Sequence, residues 1–301
     1  NDESSPIMQI HANRQEIYKQ KLDNMAKVLS EIGNEESTDS PVIIGLAEIE
    51  NYTVINDLIN TYWLKSQDYG IIHYDSPDQR GIDVALIYQK TFFRPTDHEV
   101  FELKLWDEEG QRIYTRDQLL VTGYLDDELI HIIVNHWPSR RGGPEKSNFK
   151  REKAAYITSR ILDKLYTTDP NAKVVIMGDL NDDPTDSSLK NVLKTKARKA
   201  DLVQGSLYNP MEDMFRRGFN TLVYRDQINL FDQILLSSSL ITTGKDYKSY
   251  KMYKAGIYNP QYLTTQTGKY KGYPFRSFAS GRFIGGYSDH YPVYIQLIKN
   301  K

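Results

Sequence analysis

The chain has 301 residues, 39% hydrophobic and 26% charged, which is enough apolar material for a sizeable core and excludes wholesale disorder. Its 38 Lys and Arg against 40 Asp and Glu leave a formal charge of -2, so it is no polycation that grips a polyanion by bulk charge, though a local basic patch is allowed. The absence of cysteine removes disulfide frameworks, Cys-ligated metals and thiol nucleophiles.

In chain order, Asn1 to Pro6 read as a polar tail that extends to about residue 15. Tyr18, Leu22, Met25, Leu29 and Ile32 recur at helical spacing and predict an amphipathic helix stopped by Gly33. Val42 to Leu46 is a short continuous apolar run, the pattern of a strand buried on both faces, and Glu48 follows it. Further strands are predicted at Ile82–Tyr88, after the turn-rich segment Asp75 to Gly81, and at Leu129–Val134, which ends in Asn135-His136-Trp137-Pro138. Ala154, Ile157, Ile161 and Leu165 predict a second helix, broken by Asp169-Pro170-Asn171. Val174 to Met177 then forms a buried strand that runs into Gly178-Asp179-Leu180-Asn181. Helix, loop, apolar strand and acid thus occur twice, about 130 residues apart. Leu230–Leu236 is a strand with Asp232 embedded in it, and Tyr291–Ile298 is the last strand, just after Ser288-Asp289-His290. No Pro/Gly/Ser linker divides the chain, so one domain over residues 1–301 is expected, of α/β or α+β class, with stacked sheets flanked by helices. No apolar run approaches the ~20 residues of a membrane span, and a start at Asn1 rather than Met predicts a trimmed N-terminus.

The informative residues are polar ones at the ends of buried strands, where rigid backbone aims side chains into one cleft. They are Glu48, His136, Asp179, Asn181, Asp232, Asp289 and His290. Oxygen-rich clusters of this kind suit hard cations such as Mg²⁺, Mn²⁺ or Ca²⁺. Imidazoles beside them move protons or meet anions near neutral pH. Singly, each has an ordinary role: Asp-x-Asn is a common turn or cap, and Asp-His is commonly surface. Asp232 is different, because apolar neighbours predict its burial and a buried carboxylate needs a partner such as a histidine.

The order of these pieces resembles the endonuclease/exonuclease/phosphatase family, from about residue 16 to 298. Its most specific parts here are Gly178-Asp179-Leu180-Asn181-Asp182-Asp183-Pro184 and Tyr287-Ser288-Asp289-His290-Tyr291-Pro292-Val293. HYDSPDQRGIDVALIY, VNHWPSR and KGYPFRSF are similar to segments of an uncharacterised bacterial branch of that family. The resemblance implies a DNase I-like, four-layered α/β sandwich with two central mixed sheets. It implies a metal-dependent phosphoesterase, with Glu48 as main metal ligand and Asp289 near a second metal position. Asp179 would orient or activate water, Asn181 would contact phosphoryl oxygens, and His290, held by Asp232, would meet the scissile phosphate or transfer a proton. His136 matches the histidine of the DNase I, sphingomyelinase and 5-phosphatase branches, where abasic-site endonucleases typically carry tyrosine. The family's first strand normally ends in an asparagine near the metal. Here that residue lies upstream of Asn1, or is Asn13 after Ile7-Met8-Gln9-Ile10. Mg²⁺ is the expected cofactor, with Mn²⁺ or Ca²⁺ as alternatives, and a soluble bacterial monomer is implied, exported if a signal has been removed.

Two basic segments point to the substrate. Arg140, Arg141, Lys146, Lys150, Arg151 and Lys153 outnumber Glu145 and Glu152, and residues 245–282 carry eight Lys and Arg against Asp246 alone. Ten of the 22 tyrosines lie between Tyr247 and Tyr294, and basic residues interleaved with aromatics can track a phosphate backbone and stack bases. The ordinary alternative is a solvated loop whose tyrosines pack on a sheet edge. Arg80, Arg140 and Trp137 are the expected substrate contacts, Trp137 as a cleft wall unless it packs inside. A nucleic acid is therefore the leading substrate, a phosphorylated small molecule or lipid the alternative, and a degenerate binding protein the third reading. His11, His73, His98 and His131 are expected to be structural or surface residues.

Overall fold

The computed structural model describes residues 13–33, 40–244 and 246–300. Helix α1 spans Arg14–Glu31 and buries Ala26, Val28 and Leu29, and the left-handed Gly33 follows its end. Strand β1, Ile43–Ile49, pairs antiparallel with β3, Asp83–Gln89, which pairs in turn with β2, Tyr69–His73. Between β1 and β2 lies α2, Tyr52–Ile59, started by the Asn51 side chain accepting from the Val54 N–H at 3.1 Å.

The second sheet has six strands: β4 (Phe93–Phe101), β5 (Gln118–Leu125), β6 (Glu128–His136), β7 (Val174–Asp179), β8 (Leu207–Tyr208) and, after the hairpin β9 (Leu222–Tyr224) and β10 (Gln227–Asn229), β11 (Asp232–Ser237). Their order is β8-β11-β7-β6-β5-β4. Only β6 and β7 run parallel, so their connection must cross over, and helix α3, Pro144–Thr168, makes that crossover. Strands β12 (Lys251–Ile257) and β13 (Val293–Ile298) pair antiparallel.

Three apolar clusters define four layers. Ala26, Leu29, Ile55 and Leu58 of the first two helices pack on Ile44, Ala85 and Ile87 of the first sheet. Val84 and Leu86, on the opposite face of β3, meet Val121, Ile132, Val134, Val175 and Ile234 of the second sheet. Ile133, Val174, Ile176 and Leu235, on that sheet's other face, pack against Ala154, Ala155 and Ile161 of α3. The order is therefore helix, sheet, sheet, helix, which is the expected four-layered sandwich. In β13, Tyr294 joins the helix-side cluster while Ile295 and Leu297 join the inter-sheet core, so β12–β13 lies in the layer of the first sheet.

Several predicted bounds shift. The second helix begins at Pro144, and β11 begins at Asp232, with buried Leu230 and Phe231 ahead of it. Helix α2 and strands β2, β4, β5, β8, β9, β10 and β12 have no counterpart among the predicted elements. The region 245–282 is not simply a loop, because it contains β12. The expected tail falls mostly outside the described residues, as do His11 and Ile7 to Ile10. Among the described residues, no helix is long and apolar enough to cross a membrane.

Candidate active site

Register brings three site residues into one row. Parallel pairing sets His136 of β6 opposite Asp179 of β7, and antiparallel pairing sets Asp232 of β11 opposite the same Asp179. Residues opposite each other project to one face, so the row follows from strand register alone. Gly178 makes the approach possible: a Cβ there would lie 1.9 Å from the Asn135 carbonyl oxygen, and its φ is +139°. Gly178→Ala should therefore destabilise the fold by more than about 1 kcal/mol, measured by thermal unfolding.

His290, ahead of β13, completes the row, its Nδ1 lying 2.7 Å from Asp232 Oδ2. Asp179, Asp232 and His290 offer ligand atoms within 4.8 Å of one another. Burial alone would push the His290 imidazolium down, but Asp232, Asp179 and Asp289 outweigh it and raise it to about 10. His290 is thus a cation at neutral pH. His136 differs in every respect. It is 4% exposed, its Nδ1 has no partner among the described residues, and burial, aided by the Arg116 and Arg80 charges, holds it well below the usual value, so its ring is neutral. Its Nε2 lies 3.5 Å from Asp179 Oδ2. Burial raises the Asp179 carboxyl, and the His290 charge opposes that rise.

Asn181 adopts the left-handed conformation (φ 50°), which folds its side chain back over the strand end. Its backbone N–H donates to Asp179 Oδ1 at 2.9 Å, and its Nδ2 donates to Asp179 Oδ2 at 3.1 Å and to the Trp137 carbonyl at 2.9 Å. Glu48 does not follow the strand as expected. It sits in an irregularity of β1 between Ala47 and Ile49, with φ 59°, which turns its exposed carboxylate out of the ladder. Arg80 reaches its Oε1 at 3.3 Å, and among the described residues Oε2 has no partner. Asp289 is exposed beside His290. Among the described residues, neither Glu48 nor Asp289 belongs to a group of three close ligand atoms.

Three expected contacts change. Trp137 is 1% exposed and packs in the core beneath α3, its indole N–H donating to Asn135 Oδ1, so it is no cleft wall. Arg140 is held by Asp182, Asp183, Asp186 and the Asn181 carbonyl and stacks on Phe231, so its guanidinium braces the loop after β7 rather than waiting for substrate. Asn13 is an exposed residue at the start of α1. Of the C-terminal tyrosines, Tyr258, Tyr262, Tyr287, Tyr291 and Tyr294 pack in the helix-side core. Tyr253 of β12 is exposed by itself, and a further edge is formed by Tyr224 and Arg225 at the β9–β10 tip with Lys269, Tyr270 and Lys271, joined by Asp226 accepting from the Tyr273 hydroxyl. Thr221, at the base of this hairpin, accepts from the backbone of Asp232 and of Tyr291, so the edge is anchored to the row.

Arg116 was not among the expected residues. It is 6% exposed, pairs with Asp78 and donates to the Trp137 carbonyl. It precedes β5, whose antiparallel pairing with β6 brings its start to the rim where His136 ends.

A model of the endonuclease/exonuclease/phosphatase family matches residues 4–299. The chain belongs to that family. Solved structures of similar fold include a family protein from Bacteroides thetaiotaomicron, at 14% identity, covering 97% of this chain and 94% of that one with a TM-score of 0.59. A mannosyl-6-phosphatase from the same organism has 15% identity, 93% and 91% coverage and a TM-score of 0.58. TDP2 from D. rerio, complexed with a single-strand DNA product, has 14% identity, 93% coverage of each chain and a TM-score of 0.55. No curated protein matches the sequence. These likenesses agree with the DNase I-like sandwich built above.

Proposed function

We propose that this endonuclease/exonuclease/phosphatase protein is a divalent-metal-dependent phosphoesterase that hydrolyses phosphodiester bonds of nucleic acid. One observation carries the reading: His290, kept cationic by Asp232, stands beside Asp179, whose carboxyl burial raises, and a neutral His136. Neighbouring groups held in different protonation states are what acid–base hydrolysis needs. Asp179 would accept the proton of the attacking water. His290, through the Nε2 left over from its bond to Asp232, would stabilise charge on the phosphoryl oxygens. The neutral His136, 3.5 Å from Asp179, would orient that carboxylate.

The donors suit a hard cation, since Glu48 and Asp289 present exposed carboxylates and Glu48 Oε2 is unengaged among the described residues. These two would hold Mg²⁺ or Mn²⁺, with Ca²⁺ as an alternative. When bound, the ion supplies charge neutralisation at the phosphoryl group. The exposed Tyr224, Arg225, Lys269, Tyr270 and Lys271 edge favours a nucleic acid, because it combines stacking faces with cations and is anchored to the row through Thr221.

The test is incubation with supercoiled plasmid, single-stranded oligonucleotides and sugar phosphates, in Mg²⁺, Mn²⁺ or EDTA. Metal-dependent cleavage of nucleic acid, abolished by EDTA, is expected. Turnover of sugar phosphates with nucleic acid untouched would replace the substrate, and no turnover of any kind would leave a binding protein.

A further inference from the structure

We propose that Arg116 is a positioning residue that bolts the two sheets together at the floor of the cleft and so fixes where Asn181 and Arg80 stand. The proposal rests on the phosphoesterase reading only for its activity readout. Arg116 belongs to the second sheet, directly ahead of β5. Its Nη1 donates to Asp78 Oδ2 at 3.0 Å, and Asp78 lies on the β2–β3 loop of the first sheet. Its Nη2 donates to the Trp137 carbonyl at 2.7 Å. Both acceptors pass the constraint on. Asp78 Oδ1 accepts from the Arg80 backbone N–H at 2.9 Å, and Arg80 reaches Glu48. The Trp137 carbonyl accepts from Asn181 Nδ2, which also donates to Asp179.

Trp137 itself cannot drift. Its indole is in the core, and its backbone N–H donates to the Asp179 carbonyl at 2.9 Å. The Arg116 fork therefore spans two fixed acceptors that face opposite halves of the site. Neighbouring bonds repeat the junction: the Asp117 N–H donates to Ser76 Oγ, and the Ser76 N–H donates to Asp83. A guanidinium is suited to this task because its donors diverge in one rigid plane, whereas an ammonium is a single point that cannot keep both bonds in that geometry. The pair is also buried, with side chains 7% and 5% exposed, so water does not substitute for either bond.

Arg116→Lys keeps the charge and loses the fork. With bis(p-nitrophenyl) phosphate and Mg²⁺ or Mn²⁺, it should lower kcat by roughly 10²-fold with KM little changed, as expected for a misplaced catalytic group. A double variant, Asp78→Asn with Arg116→Met, removes both buried charges and should show the same split. In a cycle with Asn181→Ala, the Arg116→Lys loss should shrink to the part carried through Asp78 and Arg80, because the amide it positions is gone. Wild-type kcat in Arg116→Lys, or losses that simply multiply in the cycle, would reduce Arg116 to a packing role. Absence of turnover by the wild-type protein would sink the phosphoesterase reading instead. The proposal is then decided by the side-chain amide resonance of Asn181 in ¹⁵N-labelled protein, which must move in Arg116→Lys and overturns the proposal if it stays.

Discussion

Replacing Arg151 by methionine is expected to cost about 3–5 kcal/mol of folding stability. Arg151 and Asp182 are each 1% exposed, one on α3 and the other in the loop that carries Asn181. Arg151 Nε donates to Asp182 Oδ1, and its remaining donors reach Ser147 Oγ at 2.9 Å and the Pro144 carbonyl at 3.1 Å. Asp182 also accepts from Ser188 Oγ at 2.7 Å. Such a pair adds little over a well-packed apolar pair, but removing one partner strands the other charge in the core. Arg140, at 3.3 Å from the same oxygen, recovers only part of the loss because three carboxylates share it.

The sign of the pH dependence follows from the Asp182 carboxyl. Burial raises it, and the Arg151 charge is the main influence pulling it back. A carboxyl whose folded value lies above its unfolded value contributes fully at low pH, and that contribution is lost as pH rises through the folded value. Without Arg151 the folded value climbs further. The deficit of Arg151→Met relative to wild type should therefore be larger at pH 8 than at pH 5, as urea unfolding at the two pH values would show. An equal deficit at both would mean that Asp182 finds another cation.

The same loop shows what the sequence could and could not convey. Gly178-Asp179-Leu180-Asn181 is legible because it ends a continuous apolar run, and a run that is apolar on both faces needs a central strand. Strand register then does the rest, setting His136 and Asp232 on either side of Asp179. Arg140 reads as a substrate contact in the sequence, and the fold gives its guanidinium other partners for a physical reason. It lies in a basic run, but its acceptors Asp182, Asp183 and Asp186 arrive from the far side of the α3 crossover. Arg116 was invisible because nothing local marks it, and its partners become neighbours only when the two sheets stack. Strand β4 escaped for a related reason: its middle, Arg94 to Glu99, is largely polar, contains Pro95, and lies at the sheet edge with an irregular register. The tyrosine excess between Tyr247 and Tyr294 looked like a stacking surface, yet an aromatic ring with a polar tip serves equally as core filler with a tethered hydroxyl. Tyr258 and Tyr262 do so, both donating to Glu31 of α1.

Asp179→Asn should lower turnover by about 10²–10⁴-fold, the range for loss of a positioned general base, while leaving the fold intact. The amide fits the same space, but it cannot take a proton, and it presents a donor where Asn181 Nδ2 now donates at 3.1 Å. Asp232→Asn separates this role from that of His290. The histidine is held at about 10 chiefly because Asp232 and its hydrogen bond oppose the burial that would otherwise lower it. A raised histidine contributes fully below its unfolded value of about 6.5, and its contribution is lost as pH rises through the folded one. In the wild type, charge on His290 should therefore persist through neutral pH and fade toward pH 10, while the stability it confers is complete below about 6.5 and declines steadily between there and about 10. In Asp232→Asn burial is opposed by Asp179 and Asp289 alone, so the loss moves to lower pH. A pH profile of kcat/KM should show the basic limb displaced downward in Asp232→Asn and a uniformly low profile in Asp179→Asn. If the Asp232→Asn limb stays where the wild type has it, His290 is not the group that limits the reaction at high pH. If Asp179→Asn retains wild-type turnover, the proton of the attacking water goes to another acceptor, and the neutral His136, 3.5 Å away, is the next to test.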